Sequence, residues 1–192
     1  MTKSVKGTET EKNLLKAFAG EGQARNRYTL WASKAKKEGY VQISNIFTLT
    51  ANQEKEHAER FFKFLEGGEL EISASFPAGV IASTLENLQE ATQNEHEEGD
   101  ILYPAFAETA DEEGFPEIAR VFRSISIAER AHEKRYMELA DNLIKGRVFK
   151  RTPAVVWQCS NCGYFMTGKE PPEKCPSCDH PQAYFEKIMQ NW

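Results

Sequence analysis

The chain has 192 residues, 40% hydrophobic and 28% charged, which suits one medium domain plus a small one and supplies enough apolar side chains for a buried core. Its 24 basic and 29 acidic residues leave a net charge of -5, so it carries no basic footprint for nucleic acid. No stretch approaches the ~20 apolar residues of a membrane span, and the first 20 residues hold no apolar run of signal-peptide length, so a cytoplasmic location is expected.

From Thr8 to Lys37 the pattern is helical. Thr8 and Glu11 fit a capping box, and Leu14, Leu15, Phe18, Tyr28 and Trp31 recur at helical spacing. Gly39 is a stop signal, and a second helix is predicted from Val41 to Glu66, ending at Gly67-Gly68. Residues 67–79 are rich in turn formers and could cross ~40 Å when extended, about the ~39 Å length of a 26-residue helix. The segment can therefore run the length of a bundle and set the next helix parallel to the previous one. A third helix is predicted from Val80 to Glu113, with Pro104 either kinking it or dividing it in two. A fourth runs from Pro116 to Lys145. Phe47, Phe61, Phe64 and Phe122 read as plain core. Residues 1–147 thus form one domain, and 148–192 a linker and tail whose aromatic residues are Trp157, Tyr164, Tyr184, Phe185 and Trp192. The fold class is mainly α, a four-helix bundle with one long crossover of the ferritin-like kind.

One motif occurs twice on this frame, Glu54-Lys-Glu-His57 and Glu129-Arg-Ala-His132. Each follows an isolated glutamate, Glu21 by 33 residues and Glu95 by 34. Residues three apart share one helix face. Oxygen ligands with imidazole suit iron or manganese better than zinc. Di-metal bundle sites use one Glu from each of two helices and Glu-x-x-His from each of the other two, and this chain supplies that set in order. Glu98, three after Glu95, is an extra carboxylate on the same face, with Ala24 at the matching place in the first half. A carboxylate that breaks the symmetry in this way could let one iron change ligands between oxidation states; the alternative is a supporting or surface residue. His96 and Glu97 point elsewhere. Tyr28, two turns after Glu21, and Tyr103, eight residues after Glu95, could hydrogen-bond ligating carboxylates or simply fill the core.

All four cysteines lie in the tail, as Cys159-x-x-Cys162 and Cys175-x-x-Cys178 with 12 residues between the pairs. Two such knuckles make a four-thiolate metal site. Zinc and iron both accept it, and beside a redox bundle an iron that passes single electrons makes more functional sense. His180 lies outside the knuckles and reads as a surface residue.

The stretches FAGEGQARNRY around Glu21, QEKEHAERFFKFLEGG around Glu54 and the closing CPSCDHPQAYFE, with the extra Glu98 and the four-cysteine tail, resemble rubrerythrin over essentially the whole chain. The resemblance implies bridging roles for Glu54 and Glu129, Glu95 and His132 on one iron, and Glu21 on the other. That second iron would take Glu98 when oxidised and His57 when reduced. Cys159, Cys162, Cys175 and Cys178 would hold a single iron. The resemblance also implies a homodimer in which the tail of one subunit lies near the di-iron site of the other. The function expected is a non-haem di-iron peroxidase that reduces hydrogen peroxide to water and protects against oxidative stress. Its electrons would come from an external donor, a rubredoxin or an NAD(P)H-dependent reductase. A ferroxidase or storage protein, an oxygen-activating enzyme with an apolar pocket beside the metals, and a zinc scaffold are the rival readings.

Overall fold

The computed structural model describes residues 3–188; Trp192, read as part of the tail's core, lies outside the described residues. Helix α1 spans Glu9–Lys37. Thr8 caps it by accepting from the Glu11 N–H at 3.1 Å, but the Glu11 carboxylate reaches the Gly7 N–H at 2.8 Å, so the expected reciprocal box closes one residue early. Gly39, at φ 86°, turns the chain into α2, Val41–Phe62. α2 stops four residues before the predicted Glu66. Its end tightens through bonds from Phe64 N–H to Phe61 and from Leu65 N–H to Phe62, and Glu66 leaves the helix to accept from Val5 N–H and Ser4 Oγ.

The third helix begins at Thr84, not Val80. Ser83 and Glu86 form a capping box there, and Glu38, at the end of α1, accepts from Thr84 N–H at 2.8 Å. α3 runs Thr84–His96, widens into a π segment at Glu97–Leu102, and continues as α4, Tyr103–Glu112. Pro104 therefore does not end the helix. It sits at the first turn of α4, directly after a turn in which Tyr103 N–H bonds back to Glu98, so its missing N–H falls where the ladder has already opened. Pro116 opens α5, which extends to Ile144.

Two apolar clusters fix the topology. Leu88 of α3 packs with Trp31, Ile43, Phe47 and Tyr136 at one end of the bundle. Tyr103 and Ala107 of α4 pack with Leu14, Phe61 and Phe122 at the other. α3 and α4 therefore run in the same direction as α2, and the crossover between Phe62 and Thr84 travels the length of the molecule. This is the ferritin-like arrangement. Each fully buried Phe or Leu contributes about 1.5–3 kcal/mol by leaving water, so the two clusters hold the four helices in register. Phe47, Phe61 and Phe122 are core as expected, whereas Phe64 is only half-buried, beyond the last turn of α2.

The tail is a three-stranded antiparallel sheet of β1 (Val155–Cys159), β2 (Phe165–Gly168) and β3 (Phe185–Lys187) in the order β2-β1-β3. Trp157, Cys159, Cys175 and Phe185 form its small core. Its linker meets the corner between α1 and α2, where Phe149 stacks on Tyr40 with ring centroids 6.4 Å apart. Among the described residues no helix is long and apolar enough to cross a membrane.

Candidate metal centre

Between the two apolar clusters the helices point carboxylates and histidines inward. Glu21 of α1, Glu54 and His57 of α2, Glu95 and Glu98 on α3 and its π segment, and Glu129 and His132 of α5 all lie in this layer. Ligand atoms of Glu21, Glu54, His57 and Glu129 lie within 4.8 Å of one another, and so do those of Glu54, Glu95, Glu129 and His132. Glu54 and Glu129 belong to both groups. Glu129 Oε1 is 2.9 Å from His57 Nδ1 and its Oε2 is 2.9 Å from His132 Nδ1. Glu54 divides its oxygens in the same way, at 3.0 Å from His57 and 3.2 Å from His132. The local cause is the Glu-x-x-His spacing, which puts each pair on one face of a helix one turn apart.

The close approaches are mostly not hydrogen bonds. Glu21 Oε2, Glu54 Oε1, Glu95 Oε2, both oxygens of Glu129 and His132 Nδ1 are buried without a hydrogen-bond partner among the described residues. Their lone pairs converge on points between the side chains instead of on each other. Buried polar atoms left in this condition are costly, and a row of them around two common points fits a pair of cations. All-oxygen and imidazole donors fit iron or manganese.

The electrostatics carry the same imprint. Burial raises the Glu21, Glu95 and Glu98 carboxyls well above the usual range, and the neighbouring carboxylates raise them further. Burial alone would lower His57, but the nearby Glu129 and Glu54 outweigh it and lift the imidazole to about 10. Glu129, Glu54 and Glu95 lift His132 to about 12 in the same way. Burial disfavours the Glu129 carboxylate too, yet the two histidines hold it at about 2. Carboxyls are crowded here so closely that several keep their protons unless a cation balances them.

Two tyrosines orient the outer carboxylates, and they do so across the bundle. Tyr28 OH donates to Glu95 Oε1 at 2.5 Å, and Tyr103 OH donates to Glu21 Oε1 at 2.6 Å. Each tyrosine therefore serves the glutamate of the other half, a choice that the sequence left open. Glu98 is buried beside Gly20 but belongs to neither group of four. In this structure Glu21 is joined by His57 and not by Glu98. His96 faces outward, half-exposed, against Asp100 and Glu133.

Sequence reasoning passed over Gly99. A Cβ there would stand 3.2 Å from the Glu129 Cβ and 3.2 Å from the Arg130 N, so a glycine lets α5 approach the π segment. A lone glycine within a helical pattern was the available signal.

In the tail the four cysteine sulfurs also fall within 4.8 Å of one another. Cys159 and Cys178 sulfurs are 3.8 Å apart and those of Cys162 and Cys175 are 3.6 Å apart. Tetrahedral metal–sulfur bonds of about 2.3 Å imply edges of about 3.8 Å. The two knuckles are alike: Gly163 N–H bonds to Cys159 O, and Asp179 N–H bonds to Cys175 O, both at 2.9 Å. Both following residues have positive φ, 78° at Gly163 and 61° at Asp179. The first sulfur of each knuckle is buried and its thiol is pushed up, to about 11 for Cys159. The second is turned outward and pulled down by backbone N–H groups, to about 7 for Cys162 through Tyr164. His180 is half-buried, against the Cys178 carbonyl at 3.1 Å and edge-on to Tyr184, not free on the surface.

Comparison with known proteins agrees over the full chain. The family model described as rubrerythrin matches residues 12–140, and the one described as the rubredoxin-like domain of rubrerythrin matches residues 157–186. The chain is 62% identical to rubrerythrin of Porphyromonas gingivalis, covering 100% of this chain and 96% of that one. It is 58% identical to rubrerythrin of Nitratidesulfovibrio vulgaris, over 99% and 100%. Among solved structures, the fully reduced, all-ferrous state of nigerythrin superposes with a TM-score of 0.63 at 30% identity, covering 96% of this chain and 92% of that one.

Proposed function

Since the chain belongs to the rubrerythrin family, with its di-iron carboxylate–histidine site and four-cysteine iron knuckle, we propose that it is a peroxidase reducing hydrogen peroxide to water. The observation that carries this reading is the pair of ligand groups sharing Glu54 and Glu129, buried in the same chain as an exposed-edge four-thiolate site. When bound, a pair of reduced irons supplies two electrons at once and Lewis acidity for O–O cleavage.

The residues of the chain do the rest. Glu54 and Glu129, each presenting its two oxygens to the two histidines, are the residues that would be shared by the two ions. Tyr28 and Tyr103 fix the carboxylates of Glu95 and Glu21 through short hydrogen bonds, which keeps the cage in shape as its charge changes. Leu88, Ala91 and Phe47 on one side and Phe61 and Phe122 on the other exclude bulk water. Glu98, buried beside Gly20 and outside both ligand groups, would be the further carboxylate available to an ion held by Glu21 and His57.

Cys162 and Cys178 present the outward edge of the tail site, where an external donor, a rubredoxin or an NAD(P)H-dependent reductase, would deliver electrons. The tail packs at the α1–α2 corner, and 13 residues of α2 separate Val41 from Glu54, about 20 Å of helix. A relay into the centre is better served by the tail of a second copy, so we read the working form as a homodimer. A soluble, cytoplasmic role in oxidative-stress protection follows from this reading.

The test is anaerobic reduction of the purified protein followed by titration with hydrogen peroxide under a visible spectrometer. Ferric colour returning at near-stoichiometric peroxide, faster than with oxygen, is expected. Colour that returns faster with oxygen would turn the reading toward a ferroxidase.

A further inference from the structure

Beside the metal layer, under the crossover, lies a cavity of 370 Å³. The crossover roofs it with Ser73–Pro77, α1 contributes Ala17 and Gly20, and the far wall is Leu102, Tyr103 and Phe106. With Phe76 and Pro77 as the roof, most of its boundary is apolar. A water molecule takes about 30 Å³ of liquid, and hydrogen peroxide is little larger. The cavity falls instead in the roughly 300–1,000 Å³ range of pockets for organic ligands.

Its inner end is polar in a specific way. Asn94 and Glu98, one turn apart, both line it and both are more than nine-tenths buried. Asn94 Nδ2, a donor, and Glu98 Oε2, an acceptor, have no hydrogen-bond partner among the described residues. Of the two cations in the lining, Lys16 is engaged by Glu9 at 3.3 Å and Arg27 by Glu90 at 3.2 Å, while the exposed Glu97 carboxylate and Gln23 complete the polar lining and disfavour an anion. The pocket therefore suits a neutral molecule with an apolar body and a small head that both donates and accepts a hydrogen bond. A hydroperoxide group has one O–H and two acceptor oxygens, and the head would lie at Glu98, whose carboxylate stands beside Gly20, the chain neighbour of Glu21.

We propose that this chamber binds small organic hydroperoxides, with the alkyl or aryl group against Phe76, Leu102 and Phe106 and the hydroperoxide at Asn94 and Glu98. The proposal rests on the peroxidase reading. The reaction is ROOH + 2e⁻ + 2H⁺ → ROH + H₂O. The O–O bond breaks and no bond to carbon changes. The two electrons come from the same reduced centre that serves hydrogen peroxide, and the two protons come from solvent. The alcohol leaves by the way the hydroperoxide entered.

Two measurements on the full-length protein test it. Steady-state rates are compared for cumene hydroperoxide and hydrogen peroxide in the wild type and in Ala74→Trp, which fills the roof from an exposed position on the crossover. Binding of 2-phenyl-2-propanol, the alcohol product, to zinc-loaded protein is followed by proton NMR, using cross-peaks to the Phe76 and Phe106 rings. The expected result is a kcat/KM for cumene hydroperoxide within about tenfold of that for hydrogen peroxide. Ala74→Trp should lower the ratio of the two by tenfold or more, and the cross-peaks should be present in the wild type and lost in the variant. Turnover of hydrogen peroxide alone, with no alcohol bound, would overturn the chamber assignment and leave the peroxidase reading standing. Absence of turnover with either peroxide, with the alcohol still bound at Phe76 and Phe106, would overturn the peroxidase reading, and with it the reaction though not the pocket. Ser75→Trp is a second filling variant from the same exposed stretch of the crossover, should Ala74→Trp fail to fold.

Discussion

The bundle and the tail solve one problem, holding a metal, in opposite ways. In the bundle the ligands come from positions as far apart as Glu21 and His132, on separate helices, and they meet only because two apolar clusters clamp those helices from both ends. In the tail the ligands come from two short knuckles whose geometry is set by neighbouring backbone bonds, Gly163 N–H to Cys159 O and Asp179 N–H to Cys175 O. The bundle has a large core that exists apart from its metals. The tail's core is Trp157, Phe185 and two of the cysteines themselves. The packing makes the site in the bundle, whereas in the tail the site makes much of the packing.

The comparison predicts unequal responses to metal loss, which is the largest effect. Binding to a four-thiolate site of this size contributes on the order of 10 kcal/mol to folding. Cys175→Ser should therefore unfold the tail, seen as red-shifted and quenchable Trp157 fluorescence, while far-ultraviolet dichroism keeps the helical signal of the bundle. Stripping the bundle metals should leave that helical signal nearly unchanged. A tail that stays folded without its fourth sulfur would remove the contrast.

Next in size is the difference between shared and unshared ligands. Glu129 and Glu54 touch both groups, and Glu21 and Glu95 touch one each. Glu129→Ala should cost both bundle metals and Glu21→Ala about one, as read by metal analysis after dialysis. Equal losses from the two variants would mean that the centre is not divided as the distances indicate.

A third, smaller contrast is in pH. His57 and His132, raised to about 10 and about 12, hold protons at neutral pH and must release them to a metal. Cys162, lowered to about 7, is already partly a thiolate there. Metal affinity of both sites should climb with pH across 6 to 9, since Cys159, at about 11, and Cys175, raised by burial, must also lose protons. The bundle should climb more steeply, because the raised carboxyls of Glu21 and Glu95 add to the protons its histidines release. Competition titrations with a chelator at several pH values would show it, and parallel slopes for the two sites would count against it.

The smallest effect concerns a single hydrogen bond. Tyr103→Phe removes the donor to Glu21 Oε1 and leaves the ring in its cluster. Loss of such an orienting bond typically weakens metal affinity by about 10-fold to 100-fold. The same variant should leave the tail site untouched, so an equal change at both would point to general destabilisation.

The sequence by itself determined the parts of this protein whose information is local. Glu-x-x-His and Cys-x-x-Cys name their own geometry, because residues three apart meet on one helix turn or one knuckle. The duplicated 33- and 34-residue spacing, with a crossover long enough to span a helix, was enough to read a ferritin-like bundle. Tertiary structure decided what depends on which helices face one another. It gave Tyr28 to Glu95 and Tyr103 to Glu21, partners on other helices that spacing along one helix does not name. The relation of Pro104 to a π segment was settled by the ladder around it, and the need for a glycine at position 99 by the approach of α5. The chamber under the crossover belongs to this second kind. Its walls come from α1, the crossover, and the π segment and α4 beyond it, and no single stretch of chain carries the pattern that predicts it.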